Sequence, residues 1–133
     1  RAANNAFETI KQVATLEDLN QIREEALKVH MDEEIEKYII ELVAATRNPK
    51  AYGLEELEAY IEFGASPRAS IDMYKAARAI AYLKGQEYVS PMEIAYIAKE
   101  ILRHRIILSY EAQAEEVTTD EIIGKILAAV PIP

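Results

Sequence analysis

The sequence has 133 residues, no cysteine and a formal net charge of −8. This length suits one domain with its own hydrophobic core, and the lack of cysteine excludes disulfides and thiolate metal sites. The acidic balance argues against binding to nucleic acid or to an anionic membrane surface, because both require a concentrated basic surface. No segment resembles a signal peptide or is apolar for long enough to span a bilayer, so we expect a cytoplasmic protein. Since the chain begins at Arg1 rather than Met, we also expect a piece of a longer protein.

The chain opens with a predicted lead-in and an amphipathic helix. We assign residues 1–14 to the lead-in and residues 15–133 to one helical domain. The lead-in has apolar residues at helical spacing, namely Phe7, Ile10 and Val13. Thr15-Leu-Glu-Asp18 is a capping-box variant and predicts that a helix begins there. The apolar stripe of this helix consists of Leu16, Leu19, Ile22, Ala26 and Leu27.

Two further helices are predicted before residue 64. Asp32 is a good N-cap for the first of them, which should end at residues 46–48 because Pro49 follows. Its predicted core face consists of Ile35, Tyr38, Ile39, Leu42 and Val43. A shorter helix is predicted over residues 54–63, with Gly64 at the C′ position, where the left-handed conformation suits glycine.

The fourth and fifth helices have the clearest predicted starts. Ser66 is predicted to be the N-cap of the fourth, with Pro67 at its first position and Gly85 closing its far end. Its alanine-rich body would let neighbouring helices approach closely, so we place it at the centre of a bundle. Ser90-Pro-Met-Glu93 combines a capping box with proline at the first position, and it predicts a fifth helix that ends at residues 103–105.

The C-terminal part is less clearly specified. Residues 106–108 form a short apolar run that could be extended or could continue the helix. Residues 109–118 are predicted to be a loop. Thr119 is predicted to cap a last helix that Pro131 ends, and glycine at position 124 predicts a close packing contact because it costs about 1 kcal/mol relative to alanine. The predicted fold class is all-α, a compact bundle of about five to six helices.

Most catalytic and metal-binding patterns are missing from the sequence. It has no cysteine nucleophile, no recognisable histidine triad and no phosphate-binding loop of the form GxxxxGK[ST], so we assign no catalytic residue to this chain alone. Glu100 and His104 could share a helix face, but two ligands do not make a site, and we predict no metal. The acidic runs at residues 32–36 and 55–58 are interpreted as solvated helix surface.

Ser66-Pro67-Arg68 is the segment that best fits a binding role. It places backbone N–H groups and a guanidinium at a helix N-terminus, where both can meet a phosphate oxygen. A cation is mildly unfavourable for the helix at that end, which indicates that Arg68 serves another purpose. The alternative is an ordinary helix start in which Asp72, four residues on, pairs with Arg68.

Several motifs, in a fixed order, resemble the C-terminal helical lid of MoxR-type AAA+ ATPases. The resemblance covers about residues 15–133, and the magnesium-chelatase ATPase subunits share it more loosely. Its clearest strings are YIEFGASPRASIDMYKAARAIAYLKG (60–85), YVSPMEI (88–94) and ILRHRI (101–106), with further likeness at 29–47, 111–115 and 126–133. The resemblance implies that an αβα core of the same polypeptide holds ATP and Mg²⁺. It also implies that the lid supplies the sensor-2 arginine, which matches Arg68, contacts the γ-phosphate and couples hydrolysis to lid movement.

The resemblance has further implications for assembly and partners. It implies that the full-length protein is an ATPase that forms a ring, as a homo-hexamer, and remodels unknown client proteins, while the isolated fragment binds no cofactor. Arg103, His104 and Arg105 match a family motif. We interpret them as helix C-capping and salt-bridge residues, the alternative being contact with the core domain or a neighbouring subunit. Asp72 stands where the family more often has a small or apolar residue, so it could hold Arg68 in place or weaken its phosphate contact.

Two competing functions come from outside the nucleotide-binding class. The first is a stand-alone helical protein-interaction module, which would lack nucleotide chemistry altogether. The second, more weakly supported, is an acidic adaptor that binds a basic partner through charge and is disrupted by high salt.

Overall fold

The computed structural model describes residues 10–133, which form a helical bundle with one small sheet. The described residues contain six α-helices: α1 (Leu16–Leu27), α2 (Glu33–Arg47), α3 (Arg68–Leu83), α4 (Pro91–Leu102), α5 (Tyr110–Ala114) and α6 (Thr119–Ala129). Two short 3₁₀ helices, Pro49–Tyr52 and Glu55–Leu57, follow α2, and two strands, β1 (Ile61–Phe63) and β2 (Ile107–Leu108), pair with each other. The predicted all-α class with five to six helices is confirmed.

The central helix of the bundle is α3, as its alanine-rich sequence predicts. It packs against α1, α2 and α4. The core-facing residues of α3 are mostly small and have no solvent exposure at all: Ala69, Met73, Ala77 and Ala81. Because three of these four side chains are single methyl groups, the neighbouring helices can approach α3 closely and bury larger side chains of their own.

The local signals at the starts of α1 and α4 and at the C-terminal end of α3 act as predicted. The capping boxes of α1 and α4 are both complete, with reciprocal bonds between each N-cap residue and the acid three positions later. At the end of α3, Gly85 has a φ of 75°, and its N–H donates to the carbonyl of Tyr82 at 2.9 Å. The N–H of Gln86 donates to the carbonyl of Ala81, also at 2.9 Å. These two bonds form a Schellman motif, which satisfies carbonyls that the helix leaves open.

Two predicted N-caps need correction. Asp32 does precede α2, but its carboxylate makes no capping bond; its Oδ1 lies 2.6 Å from Nε2 of His30 instead. The N-cap of the last helix is Thr118 rather than Thr119, because the Thr118 hydroxyl accepts from the N–H of Glu121 at 3.1 Å. Judged from the sequence alone, either threonine could be the N-cap. Only Thr118 has an acid three residues later, Glu121, and so only Thr118 completes a capping box.

The prediction of a helix over residues 54–63 is wrong. That segment holds the second 3₁₀ helix and then β1, which pairs antiparallel with β2 in the register Ile61↔Leu108 and Phe63↔Ile107. A pairing between segments more than forty residues apart leaves no trace in local periodicity, so the pattern alone could not reveal it. The same pairing decides the run at 106–108, where residues 107 and 108 are extended.

Gly64 does not close a helix, and the predicted C′ role is therefore wrong. A Cβ added to it would lie 2.2 Å from the carbonyl oxygen of Thr46, far inside contact distance. Glycine here lets the chain that leaves β1 pack directly against the end of α2.

Gly124, in α6, has open space around it. The predicted close packing contact is wrong, because nothing lies within 4 Å of a Cβ added to Gly124.

The predicted loop at residues 109–118 is also wrong in part, since it contains α5. The Ser109 hydroxyl accepts from the N–H of Ala112 at 3.1 Å and donates to the carbonyl of Ala59 at 2.6 Å. One side chain therefore caps a short helix and ties it to the chain before β1. This second contact requires a partner fifty residues away, which the sequence pattern does not show.

The first helix, α1, is attached to the bundle mainly through polar groups. None of its residues is buried, and its predicted apolar stripe is largely exposed, with Leu16 at 79% and Leu19 at 51%. Arg78 of α3 donates to the carbonyl of Leu27 at 3.0 Å, and the hydroxyl of Tyr82 donates to the carboxylate of Glu25.

The predicted lead-in falls mostly outside the described residues, Phe7 among them. Its described part, residues 10–14, has no regular secondary structure, and Ile10 and Val13 are almost fully exposed. Within residues 10–133, no helix combines the length and the apolar character that crossing a membrane requires.

Candidate functional site

The loop before α3 is fixed to the end of α2. Ala65 is fully buried, and its N–H donates to the hydroxyl oxygen of Thr46 at 2.9 Å. The same hydroxyl donates to the carbonyl of Val43 at 2.7 Å, so it satisfies one backbone group on each segment. Together with the close approach at Gly64, this bond determines where α3 begins. Ala65 is therefore part of the scaffold that positions the start of α3.

The structure places Arg68 at the first position of α3. Its side chain is exposed and makes no ion pair or hydrogen bond with any of residues 10–133. The predicted cap at Ser66 is wrong, because the N-cap position belongs to Pro67 and no side chain caps this helix. The N–H groups of Ala69 and Ser70 donate to the carbonyls of Ser66 and Pro67, at 2.9 and 3.0 Å.

These bonds change the predicted chemistry of the helix start. We expected several open backbone N–H groups beside the guanidinium. Two of them, at Ala69 and Ser70, are already used in a tight first turn. The main donor that this end of α3 can offer to an external anion is therefore the forked guanidinium of Arg68, supported by the positive end of the helix dipole.

The local partner proposed for Arg68 is bound elsewhere. Asp72 lies one turn along α3, but its Oδ2 is 2.6 Å from Nη2 of Arg105. Both side chains of this pair are a little under half exposed. The pair between Arg68 and Asp72 is therefore not formed, and the ordinary-helix-start alternative loses the contact on which it depended.

Arg105 belongs to the motif Arg103-His104-Arg105, whose predicted salt bridges are present. The Nε and Nη2 of Arg103 donate to the two carboxylate oxygens of Asp120, at 2.8 and 3.3 Å, which ties the end of α4 to α6. This forked bond raises the pKa of Arg103 and holds the pKa of Asp120 below its usual value. The His104 side chain is exposed and makes no hydrogen bond within the described residues, while its backbone N–H donates to the carbonyl of Ile101 at 3.3 Å. A contact of these three residues with a core domain or a neighbouring subunit stays a prediction.

A buried carboxylate joins α3 to α4, and the sequence does not reveal its burial. Glu93 is only 1% exposed and accepts bonds from Lys84 Nζ at 2.6 Å and Gln86 Nε2 at 3.0 Å. It also accepts from the N–H and the hydroxyl of Ser90, both at 2.7 Å. Burial alone would raise the pKa of Glu93, but these four donors outweigh it and lower the pKa to about 2. Every donor is accounted for within the fold, so Glu93 is a structural residue.

The described residues offer no grouping suited to a metal ion. Residues 10–133 contain no cluster of three or more histidine, aspartate and glutamate side chains in ligand geometry. Glu100, which we paired with His104 in sequence terms, lies 3.5 Å from Nη1 of Arg103 instead.

Comparisons with known proteins agree with this architecture. Residues 55–126 match the AAA lid domain family. The chain is 34% identical over 123 residues to Chaperone MoxR1 of Mycobacterium tuberculosis, covering 92% of this chain and 33% of the relative. It is 33% identical over 110 residues to Protein MoxR of Paracoccus denitrificans, covering 78% and 32% respectively. The crystal structure of a candidate ATPase from Cytophaga hutchinsonii superposes with a TM-score of 0.85 at 50% identity, covering 88% of this chain and 36% of that one.

The fold and the matched residues define an AAA lid domain, and the chain belongs to that family. Its similarity to the MoxR proteins then narrows the assignment. The chain is the lid of a MoxR-family AAA+ ATPase, as the motifs around Arg68 predicted. It spans about a third of the length of the relatives that it matches. The predicted boundary between residues 1–14 and 15–133 stays a prediction.

Proposed function

We propose that Arg68 is the sensor-2 arginine of this lid. In this proposal it contacts the γ-phosphate of an ATP molecule that an AAA+ core in the same polypeptide binds together with Mg²⁺. One observation carries the proposal. Arg68 projects from the start of the central helix, exposed and without a partner among residues 10–133, although an acid lies one turn away on the same helix.

The chemistry of phosphoryl transfer explains why an arginine suits this position. Negative charge is spread over the oxygens of the transferring phosphate, and a fixed guanidinium stabilises that charge with two parallel donors. A fixed cation is most effective when it needs no rearrangement during the reaction. The anchoring of Ala65 to Thr46 fixes the backbone at the first turn of α3, from which the Arg68 side chain extends.

The packing of α3 supports a role in coupling hydrolysis to movement. Arg68 begins a helix of 16 residues that contacts α1, α2 and α4. A contact between the γ-phosphate and Arg68 would therefore act on the centre of the lid. Loss of that phosphate after hydrolysis would release the contact and allow the lid to move as a body.

Further parts of the proposal concern the complete protein. We propose that it hydrolyses ATP in the cytoplasm as a ring, a homo-hexamer, and remodels client proteins. Similarity to a relative named as a chaperone supports the remodelling role.

The test of the Arg68 proposal is Arg68→Ala in a polypeptide that carries both the core and this lid. A charge-assisted hydrogen bond contributes about 1.5–3 kcal/mol, so kcat/KM for ATP should fall by about 10- to 150-fold. Arg68→Lys keeps the charge but loses the fork, and it should restore only part of the activity. Arg23→Ala removes another exposed arginine, on α1, and should leave turnover unchanged.

The lid itself should remain folded in the Arg68→Ala variant, since the side chain is exposed. Thermal unfolding of the 133-residue chain, with and without the substitution, checks this point. Normal ATP turnover in the substituted protein would show that Arg68 is only a helix-start residue.

A second candidate function is the stand-alone interaction module, which the exposed apolar stripe of α1 favours. This alternative requires no nucleotide chemistry. It would be supported if partner binding depended on Leu16 and Leu19 and was indifferent to ATP and to Arg68→Ala.

A further inference from the structure

We propose that Arg105 is a positioning residue that keeps Asp72 away from Arg68. This inference rests on the proposed function of Arg68 and extends it. The ion pair between Arg105 and Asp72, at 2.6 Å, leaves Arg68 free to reach a phosphate that lies outside the lid.

The spacing on α3 creates the need for such a residue. Residues four apart on a helix lie on the same face, with their Cβ atoms about 5–6 Å apart, so Asp72 is within reach of Arg68. Asp72 is also the only acid on α3. A carboxylate at this position opposes phosphate binding in two ways, since it competes for the guanidinium and repels the negatively charged ligand.

Arg105 counteracts both effects. Its guanidinium binds the Asp72 carboxylate in a charge-assisted hydrogen bond and neutralises its charge. The competing pair between Arg68 and Asp72 would place the cation before the acid along the helix, which is the weaker of the two i,i+4 orders. The structure shows the longer-range pair formed and the local pair absent among the described residues.

The two-stranded sheet explains how Arg105 reaches Asp72. Arg105 lies two residues before β2, and Phe63, the last residue of β1, pairs with Ile107. Beyond Phe63 the chain runs through Gly64 and the buried Ala65 directly into α3. Because Phe63 pairs with Ile107, the segment that leaves β1 toward Arg68 and the segment that leads from Arg105 into β2 lie at the same end of the sheet. This pairing brings Arg105 close to the start of α3.

The turn that carries Arg105 is itself well fixed. The N–H groups of Arg105 and Ile106 both donate to the carbonyl of Leu102, at 3.0 and 3.1 Å. The Ile106 side chain is buried. Arg105 is thus held by backbone contacts that do not depend on its own side chain, and substitution of that side chain should leave the turn in place.

The test is a double-substitution cycle in the complete ATPase, with Arg105→Gln, Asp72→Asn and the two combined. Arg105→Gln should raise the KM for ATP by about 2- to 5-fold at low salt, because the freed carboxylate is half-exposed and solvent weakens its effect. The increase should shrink at high salt. Adding Asp72→Asn should return the KM to the value of the parent. Lys37→Gln, which breaks an exposed ion pair on α2, is the matched control and should leave KM unchanged.

The rescue distinguishes positioning from a structural role. If Arg105 served only to hold the fold together, removing Asp72 as well would not restore ATP affinity. A second readout uses the 133-residue chain without nucleotide. NMR of the Arg68 Nε–Hε group should show restricted motion in Arg105→Gln and recover its mobility when Asp72→Asn is added.

The outcomes separate this inference from the proposed function. If Arg68→Ala leaves ATP turnover unchanged, the proposed function fails. If Arg68→Ala lowers turnover but Arg105→Gln leaves the KM unchanged, or Asp72→Asn fails to rescue it, only the positioning role of Arg105 is overturned.

Discussion

Replacing Glu93 with glutamine should weaken the junction between α3 and α4 without changing its shape. The Glu93 carboxylate accepts four bonds from Lys84, Gln86 and Ser90 while almost completely shielded from solvent. Glutamine has the same size and keeps one carbonyl oxygen as an acceptor. It cannot carry the negative charge, and it presents an amide donor to a pocket already filled with donors.

The pKa of Glu93 sets the size of the effect. Burial would raise this pKa, but the surrounding donors lower it from 4.5 to about 2. Each unit of pKa corresponds to about 1.4 kcal/mol, so the ionised form adds at most about 3–4 kcal/mol to the free energy of unfolding. Because the Lys84 side chain is 47% exposed, solvent screens part of this interaction. We therefore expect Glu93→Gln to cost about 2 kcal/mol at pH 7.

The stabilisation that Glu93 contributes should depend on pH. The folded-state pKa of Glu93 lies below the unfolded value, so its stabilisation is complete above about pH 4.5 and is lost as the pH falls toward 2. The parent and the Glu93→Gln variant should therefore differ most near neutral pH and converge near pH 2.

Urea unfolding of the 133-residue chain, followed by far-ultraviolet circular dichroism, measures these differences at several pH values. Glu87→Gln is the matched control, because that side chain is exposed and makes no hydrogen bond in the described structure. A constant gap between parent and Glu93→Gln from pH 7 to pH 3 would contradict the assignment of the stabilisation to the ionised carboxylate.

Two alanine substitutions at glycines should have opposite signs. Gly64→Ala should destabilise the chain by about 2 kcal/mol or more, because its Cβ would lie 2.2 Å from the backbone oxygen of Thr46 and the strand would have to move. Gly124→Ala should stabilise it by about 1 kcal/mol, since the position is helical and open. Urea unfolding of the two variants side by side checks both, and a stabilising Gly64→Ala would refute the close approach to α2.

The elements that the sequence predicts correctly are those with local signals at their ends. The capping box at Ser90 and the left-handed Gly85 each act within a few residues of the helix end that they define. The segment at residues 54–63 was predicted incorrectly because its conformation depends on β2, far along the chain. Local periodicity cannot report a partner of that kind.

The same contrast between local signals and long-range partners applies to the candidate site. Arg68 could be selected as a candidate from the sequence, because the helix start and the motif that resembles the MoxR lids both lie within a few residues of it, and its role stays a prediction. The Arg105–Asp72 pair could not, since its members are 33 residues apart and a local partner for Asp72 was already available at Arg68. Only the two-stranded sheet decides between the two arginines, by bringing the turn after α4 back to α3.

The contacts at the two ends of α3 join it firmly to its neighbours, which constrains the lid movement that we propose. At its start, Arg68 stands beside a loop anchored to α2; at its far end, Lys84 and Glu93 join it to α4. A helix of 16 residues is about 24 Å long, and its buried face leaves no room for bending in the middle. We infer that a pull at Arg68 moves α2, α3 and α4 as one body. Of the three helices that pack against α3, only α1 buries no residue, so we expect a flexible joint at α1 rather than at α2 or α4.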